Sequence, residues 1–167
     1  MNTINHISLY SPDDIQAMRL ADAARLPGQN RINEIIAYAQ KAGFTRIGIA
    51  HCISLKAEAM VLKELLAPHF EVVDIDCKVG KLPNAAILGD QAKGISCNPA
   101  AQALFLAEHK TQLNISVGLC MGHDLIFNQK SVAPVTTLIV KDRQHKHNPY
   151  RELNQTTNQN TTEQSVN

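Results

Sequence analysis

The sequence predicts an α/β fold, a three-layer sandwich around a mostly parallel sheet of about four strands, Rossmann-like in class. Two observations predict it. Short apolar runs rich in Ile and Val alternate with stretches of helical periodicity, the pattern of strand–helix–strand units joined by right-handed crossovers. Three of those runs also end on a cysteine: Cys52 follows Arg46 to His51, Cys77 follows Val72 to Asp76, and Cys120 follows Ile115 to Leu119. Parallel strands bring their ends side by side, so cysteines distant in sequence are expected to converge on one crevice, where open α/β folds bind ligands.

The elements follow in order. Ser11-Pro12-Asp13-Asp14 is a helix start, with Ser11 as cap, Pro12 first in the helix and acidic groups in the first turn. That helix is expected to reach about Leu26, before Pro27-Gly28. Ile32, Ile35, Ile36 and Ala39 then recur at helical spacing until Gly43 supplies a left-handed stop. After the first strand, Leu55 to Leu66 holds strong helix formers and ends before Pro68. Gly80 to Gly94 reads mostly as loop, with one apolar run at Ala85 to Leu88, and its length suggests a lid or binding loop. A helix from Pro99 to about His109, a strand over Leu113 to Leu119, a short helix from His123 through Phe127 and a strand over Val135 to Val140 complete the domain. One α/β domain is expected over residues 1–153, with a disordered polar tail over 154–167.

Composition narrows the function. The 16 basic and 15 acidic residues leave a net charge of +1, without the basic excess that binding to a phosphate backbone requires, so nucleic acid is not an expected partner. No apolar run approaches the roughly 20 residues of a membrane span, and the N-terminus has no basic segment leading into an apolar signal core. A cytoplasmic protein is expected. In a reducing cytosol its four cysteines stay free of disulfides, which favours metal binding or thiol chemistry.

Four thiolates, Cys52, Cys77, Cys97 and Cys120, suit a soft metal centre. Structural zinc usually takes paired Cys-x-x-Cys ligands, whereas these cysteines are single and roughly 20 to 25 residues apart. The spacing therefore favours an iron–sulfur cluster (4Fe-4S), with zinc as the alternative. Cys97 precedes Asn98-Pro99 and a helix, whose dipole favours a thiolate. Two other readings stay open: buried cysteines acting as small hydrophobes, and a thiol nucleophile without metal. For an enzyme, His123 is the candidate acid or base and Asp124 its orienting carboxylate, although Asp124 also reads as a helix start. Gly118, Gly122 and Asn98 border the cysteines as candidate contacts to a bound group, and the glycines equally suit a tight strand-to-helix turn. Lys78, Lys141 and Arg143 fall at strand ends, where cations can hold a small anionic or sulfur-containing substrate, or simply be solvated. A redox partner is the other expectation. His145 and His147 alternate on an expected exposed stretch and read as polar surface. Neither the dinucleotide fingerprint nor the phosphate loop is present, so no nucleotide cofactor is expected.

Several blocks together resemble one family. They are Arg46 to Ile53, Cys77-Lys78-Val79-Gly80, Cys97-Asn98-Pro99, Gly118 to Asp124, Ala133 to Arg143 and His147-Asn148-Pro149. In this order they are similar to domain of unknown function 1847, an uncharacterised bacterial and archaeal family whose members are often labelled metal-binding proteins. The resemblance implies a metal or cluster site and names no reaction. Two departures matter: many relatives carry a cysteine-rich N-terminal segment, and Asp76 stands where they often have a second cysteine beside Cys77.

Overall fold

A computed structural model describes residues 5–25 and 27–154, and the expected polar tail beyond 154 lies outside them. The chain forms two compact units, one ending at Thr45 and one beginning at Arg46.

The first unit contains helices α1 (Pro12–Ala24) and α2 (Arg31–Lys41), preceded by a 3-10 turn at His6–Leu9. Ser11 caps α1 as the sequence predicts, and its side chain and that of Asp14 satisfy each other's backbone N–H in a capping box. Asn30 caps α2, accepting from the Asn33 N–H at 3.0 Å. At the far end Gly43 takes φ +71°, while Phe44 N–H donates to Ala39 and Gly43 N–H to Gln40. These are the paired bonds of a Schellman stop, and only glycine reaches that backbone conformation without a Cβ penalty. Tyr38 and Phe44 pack edge to face across it.

The second unit is built on four parallel strands: β1 (Arg46–His51), β2 (Glu71–Asp76), β3 (Leu113–Leu119) and β4 (Val135–Val140). Their order is β2-β1-β3-β4, with β1 and β3 in the buried centre. Both are nearly continuous apolar runs, as strands covered on two faces must be. Between them come α3 (Lys56–Leu66), α4 (Ala85–Leu88), α5 (Pro99–Glu108) and α6 (His123–Lys130). The Ala85 to Leu88 run of the expected loop thus folds into one helical turn, and the helix beginning at His123 runs past Phe127 to Lys130.

Alternation along the strands assigns the faces. Ala50, Leu119, Val73 and Ile75 pack with Ala103 and Leu106 of α5 and Phe127 of α6. Asp74 lies between Val73 and Ile75 and points the other way, where Lys63 of α3 pairs with it at 2.6 Å. Helices therefore cover both faces of the sheet, giving the expected α/β sandwich. Among the described residues no helix is long and apolar enough to cross a membrane.

Gly48 sets the distance between α5 and β1. A Cβ there would stand 3.0 Å from both Leu106 methyl groups and would overlap Asn114 Oδ1, which the Thr111 hydroxyl holds at 2.8 Å. Because neither side can yield freely, Gly48→Ala is expected to destabilise the protein by about 1–3 kcal/mol through overpacking. A lower denaturant midpoint at unchanged slope checks this.

Candidate functional site

The order β2-β1-β3-β4 puts the successor of β1 on one side and β3 on the other, which makes the C-terminal ends of β1 and β3 the topological switch point of the sheet. Cys52 leaves one end and Cys120 the other. Cys77 leaves β2, paired with β1 in register up to His51 and Asp76. The ladder continues one step beyond β1, with Cys52 N–H donating to the Val117 carbonyl at 3.0 Å.

A buried amide fixes two of these ends. Gln102 of α5 is fully enclosed, and its Nε2 donates to the His51 carbonyl at 3.2 Å and the Ile75 carbonyl at 3.1 Å. It thereby ties the last turns of backbone before Cys52 and Cys77 to one helix. Sequence reading missed Gln102, although a lone polar residue in the apolar run Ala100 to Ala107 was the available signal.

The thiols divide into two settings. Cys97 Sγ donates to Cys77 Sγ at 3.6 Å, and the Ile53 N–H, next to Cys52, reaches Cys77 Sγ at 3.4 Å. Burial pushes the Cys77 thiol up to about 12, reinforced by Cys97 and Cys52 and opposed by the Ile53 N–H. Cys52 behaves oppositely. Burial alone raises its pKa, but hydrogen bonds from Ser54 and the Lys141 ammonium outweigh burial, and the thiol falls below its ordinary range. Lys141 Nζ lies 3.4 Å and Ser54 Oγ 3.3 Å from Cys52 Sγ, and Lys141 also binds Ser54 Oγ. Arg143 reaches Cys120 Sγ at 3.5 Å.

Two of the three candidate strand-end cations thus contact cysteines, while Lys78 donates instead to the Ile95 carbonyl at 2.6 Å. Which cation meets which sulfur depends on strand order, and Ser54 carries no sequence signal of its own. The four sulfurs do not meet at a point. Among the described residues no three His, Cys, Asp or Glu side chains are grouped closely enough to hold a metal ion. The reason lies in the sheet: β1 intervenes between β2 and β3, which separates the ends leading to Cys77 and Cys120 by about 10 Å at ~4.8 Å per strand.

The remaining candidates have local partners. Asn98 is the cap of α5, accepting from Ala101 N–H at 3.1 Å, so Cys97 stands one residue outside the helix. Gly118 lies at a β3–β4 register shift with φ +63°, where a Cβ would overlap the Leu55 side chain, and Gly122 turns the chain into α6 with φ +87°. The Asp124 carboxylate accepts from the N–H of Leu125 at 2.8 Å. The half-buried His123 side chain has no hydrogen-bond partner among the described residues. His145 pairs with Glu152 at 2.8 Å, and His147 Nδ1 accepts from Asp142 N–H at 3.1 Å.

The family model described as protein of unknown function DUF1847 matches residues 5–138, and the chain belongs to that family. It is similar to an uncharacterised protein of Methanocaldococcus jannaschii, 44% identical over 124 residues, covering 72% of this chain and 64% of the relative. The chain therefore spans less than two thirds of that relative's length. No solved structure matches.

Two outcomes test the site. Removing the cation in Lys141→Met is expected to move the pH profile of Cys52 alkylation upward and to slow the reaction at neutral pH, read residue by residue by mass spectrometry. Gln102→Leu leaves the His51 and Ile75 carbonyls without their donor, and an expected loss of about 1–3 kcal/mol in denaturant unfolding checks the clamp.

Proposed function

We propose that this member of the family holds a soft metal centre at the C-terminal edge of its sheet, with Cys52, Cys77, Cys97 and Cys120 as sulfur donors. An iron–sulfur cluster is the preferred occupant and zinc the alternative. The observation that carries the reading is the 3.6 Å contact between Cys77 Sγ and Cys97 Sγ, with the backbone beside Cys52 at the same sulfur. Thiolates are chemically matched to these metals and poorly matched to magnesium or calcium.

Spacing supports the preference. A single zinc ion needs its four ligands in one tetrahedron, whereas a four-iron cluster distributes its thiolates over separate irons. Thiols that follow separate strands along one edge of the sheet suit the second arrangement better. Lys141 and Arg143 then act as N–H donors to ligand sulfurs and offset negative charge, an influence that raises a cluster's reduction potential. A bound cluster supplies one-electron transfer, and the corresponding partner is a redox protein. The protein's own contribution is to hold the thiols at the strand ends.

A second reading is favoured by the pairing of Lys141 and Ser54 with Cys52. In it the protein is an enzyme for a small sulfur-containing or anionic substrate, Cys52 is the nucleophile, Lys141 favours its thiolate and His123 carries the proton.

Anaerobic purification with metal analysis separates the two. Broad visible absorption with stoichiometric iron and acid-labile sulfide is the expected result, lost in Cys77→Ser and Cys97→Ser. Stoichiometric zinc without colour would select the alternative metal. A protein that takes up neither metal on reconstitution and has one rapidly alkylated thiol, Cys52, would overturn the metal centre in favour of the enzyme.

A further inference from the structure

Between Cys77 and Cys97 the chain makes a long excursion and returns to its starting point. Asn98 N–H donates to the Cys77 carbonyl at 2.8 Å, Asn98 Nδ2 to the Val79 carbonyl at 3.4 Å, and Ser96 N–H to the Leu82 carbonyl at 2.7 Å. Lys78 Nζ adds a bond to the Ile95 carbonyl. The backbone is thus tied on both sides of the two thiols, whose sulfurs already touch at 3.6 Å. Their burial differs: Cys77 is 3% exposed, whereas Cys97 is only half-buried.

We propose that Cys77 and Cys97 are a reversible dithiol–disulfide pair, oxidised by exchange with a low-molecular-weight disulfide. Cys97 gives its proton to water and attacks one sulfur of the small disulfide, whose S–S bond breaks to release one thiolate and leave a mixed disulfide on Cys97. Cys77 in turn loses its proton to water and attacks the Cys97 sulfur, which releases the second small thiolate and forms the internal bond. Two protein thiols lose two electrons together, and the small disulfide is reduced to two thiols. The sulfurs have to close from 3.6 Å to a bond of about 2.05 Å, and the backbone ties keep the two segments together while they do. The bonded pair can no longer supply two thiolate ligands, so oxidation closes the metal centre, a consequence that rests on the reading given above, whereas the disulfide itself does not.

The test uses the reduced full chain after chelation, incubated with oxidised glutathione, quenched in acid, alkylated and mapped by mass spectrometry. The expected product is lighter by two hydrogens, carries a single cross-link between the Cys77 and Cys97 peptides, and returns to the dithiol with reductant. The cross-link is absent from Cys97→Ser and persists in Cys120→Ser. Glutathione remaining on Cys97 with no internal bond, or a bond to another cysteine in the unmutated chain, would overturn the proposal. Zinc uptake by the reduced and oxidised chains is measured in parallel. A mapped cross-link in a chain whose reduced form binds neither zinc nor iron would sink the metal reading alone, and metal binding without the cross-link would sink the disulfide alone.

Discussion

The parallel ladder that holds β1 between β2 and β3 decides where the chemistry of this chain can occur. Backbone pairing fixes strand ends as firmly as strand middles, and His51 is level with Asp76 on one side and Val117 on the other. Whatever follows these residues has to emerge along one edge. The fully enclosed amide of Gln102 then reinforces the alignment where the β1–β2 pairing ends. A glutamine with two backbone carbonyls on its NH2 group is costly to replace by an apolar residue, because both carbonyls lose a buried hydrogen bond.

This edge was largely legible in the sequence, because three of the four cysteines follow an apolar run and buried strands leave an unmistakable pattern. The helices were readable too, from Ser11 and Pro12 at one start and Asn98 and Pro99 at another. What could not be read depends on strand order. The pairing of Lys141 with Cys52 and of Arg143 with Cys120 joins residues far apart in sequence and follows only once β4 is known to lie beside β3. The same order explains why Cys120 stands apart from Cys77, although each is the first residue after a strand. Gln102 and Ser54 escaped for a different reason: a single polar residue has no periodicity, and its role appears only when the groups around it are known.

The two sides of the edge are electrostatically unlike. Around Cys52 and Cys120 cations reach the sulfurs, whereas around Cys77 burial and neighbouring sulfur raise the pKa of the thiol. A metal bound as proposed would have to displace protons from the second group, which would couple its uptake to pH. A small anion of the proposed kind would, by contrast, meet its counter-charge beside the first group. One edge of the sheet therefore offers distinct electrostatic surroundings only a strand's width apart.

The irregular pairing of β3 with β4 has a consequence for how the chain can change. Asn114 faces Val135 and Leu119 faces Val140, the same advance along both strands, although the intervening Val117 faces Ile139 and the register slips there. The slip is recovered within the pair, so two local defects cancel and the strands leave the sheet in phase. Loss of a single residue from either strand would keep one defect without its counterpart and rotate every later side chain on that strand to the opposite face. Matched losses, one from each strand, would preserve the phase, so length changes here are tolerable only in concert.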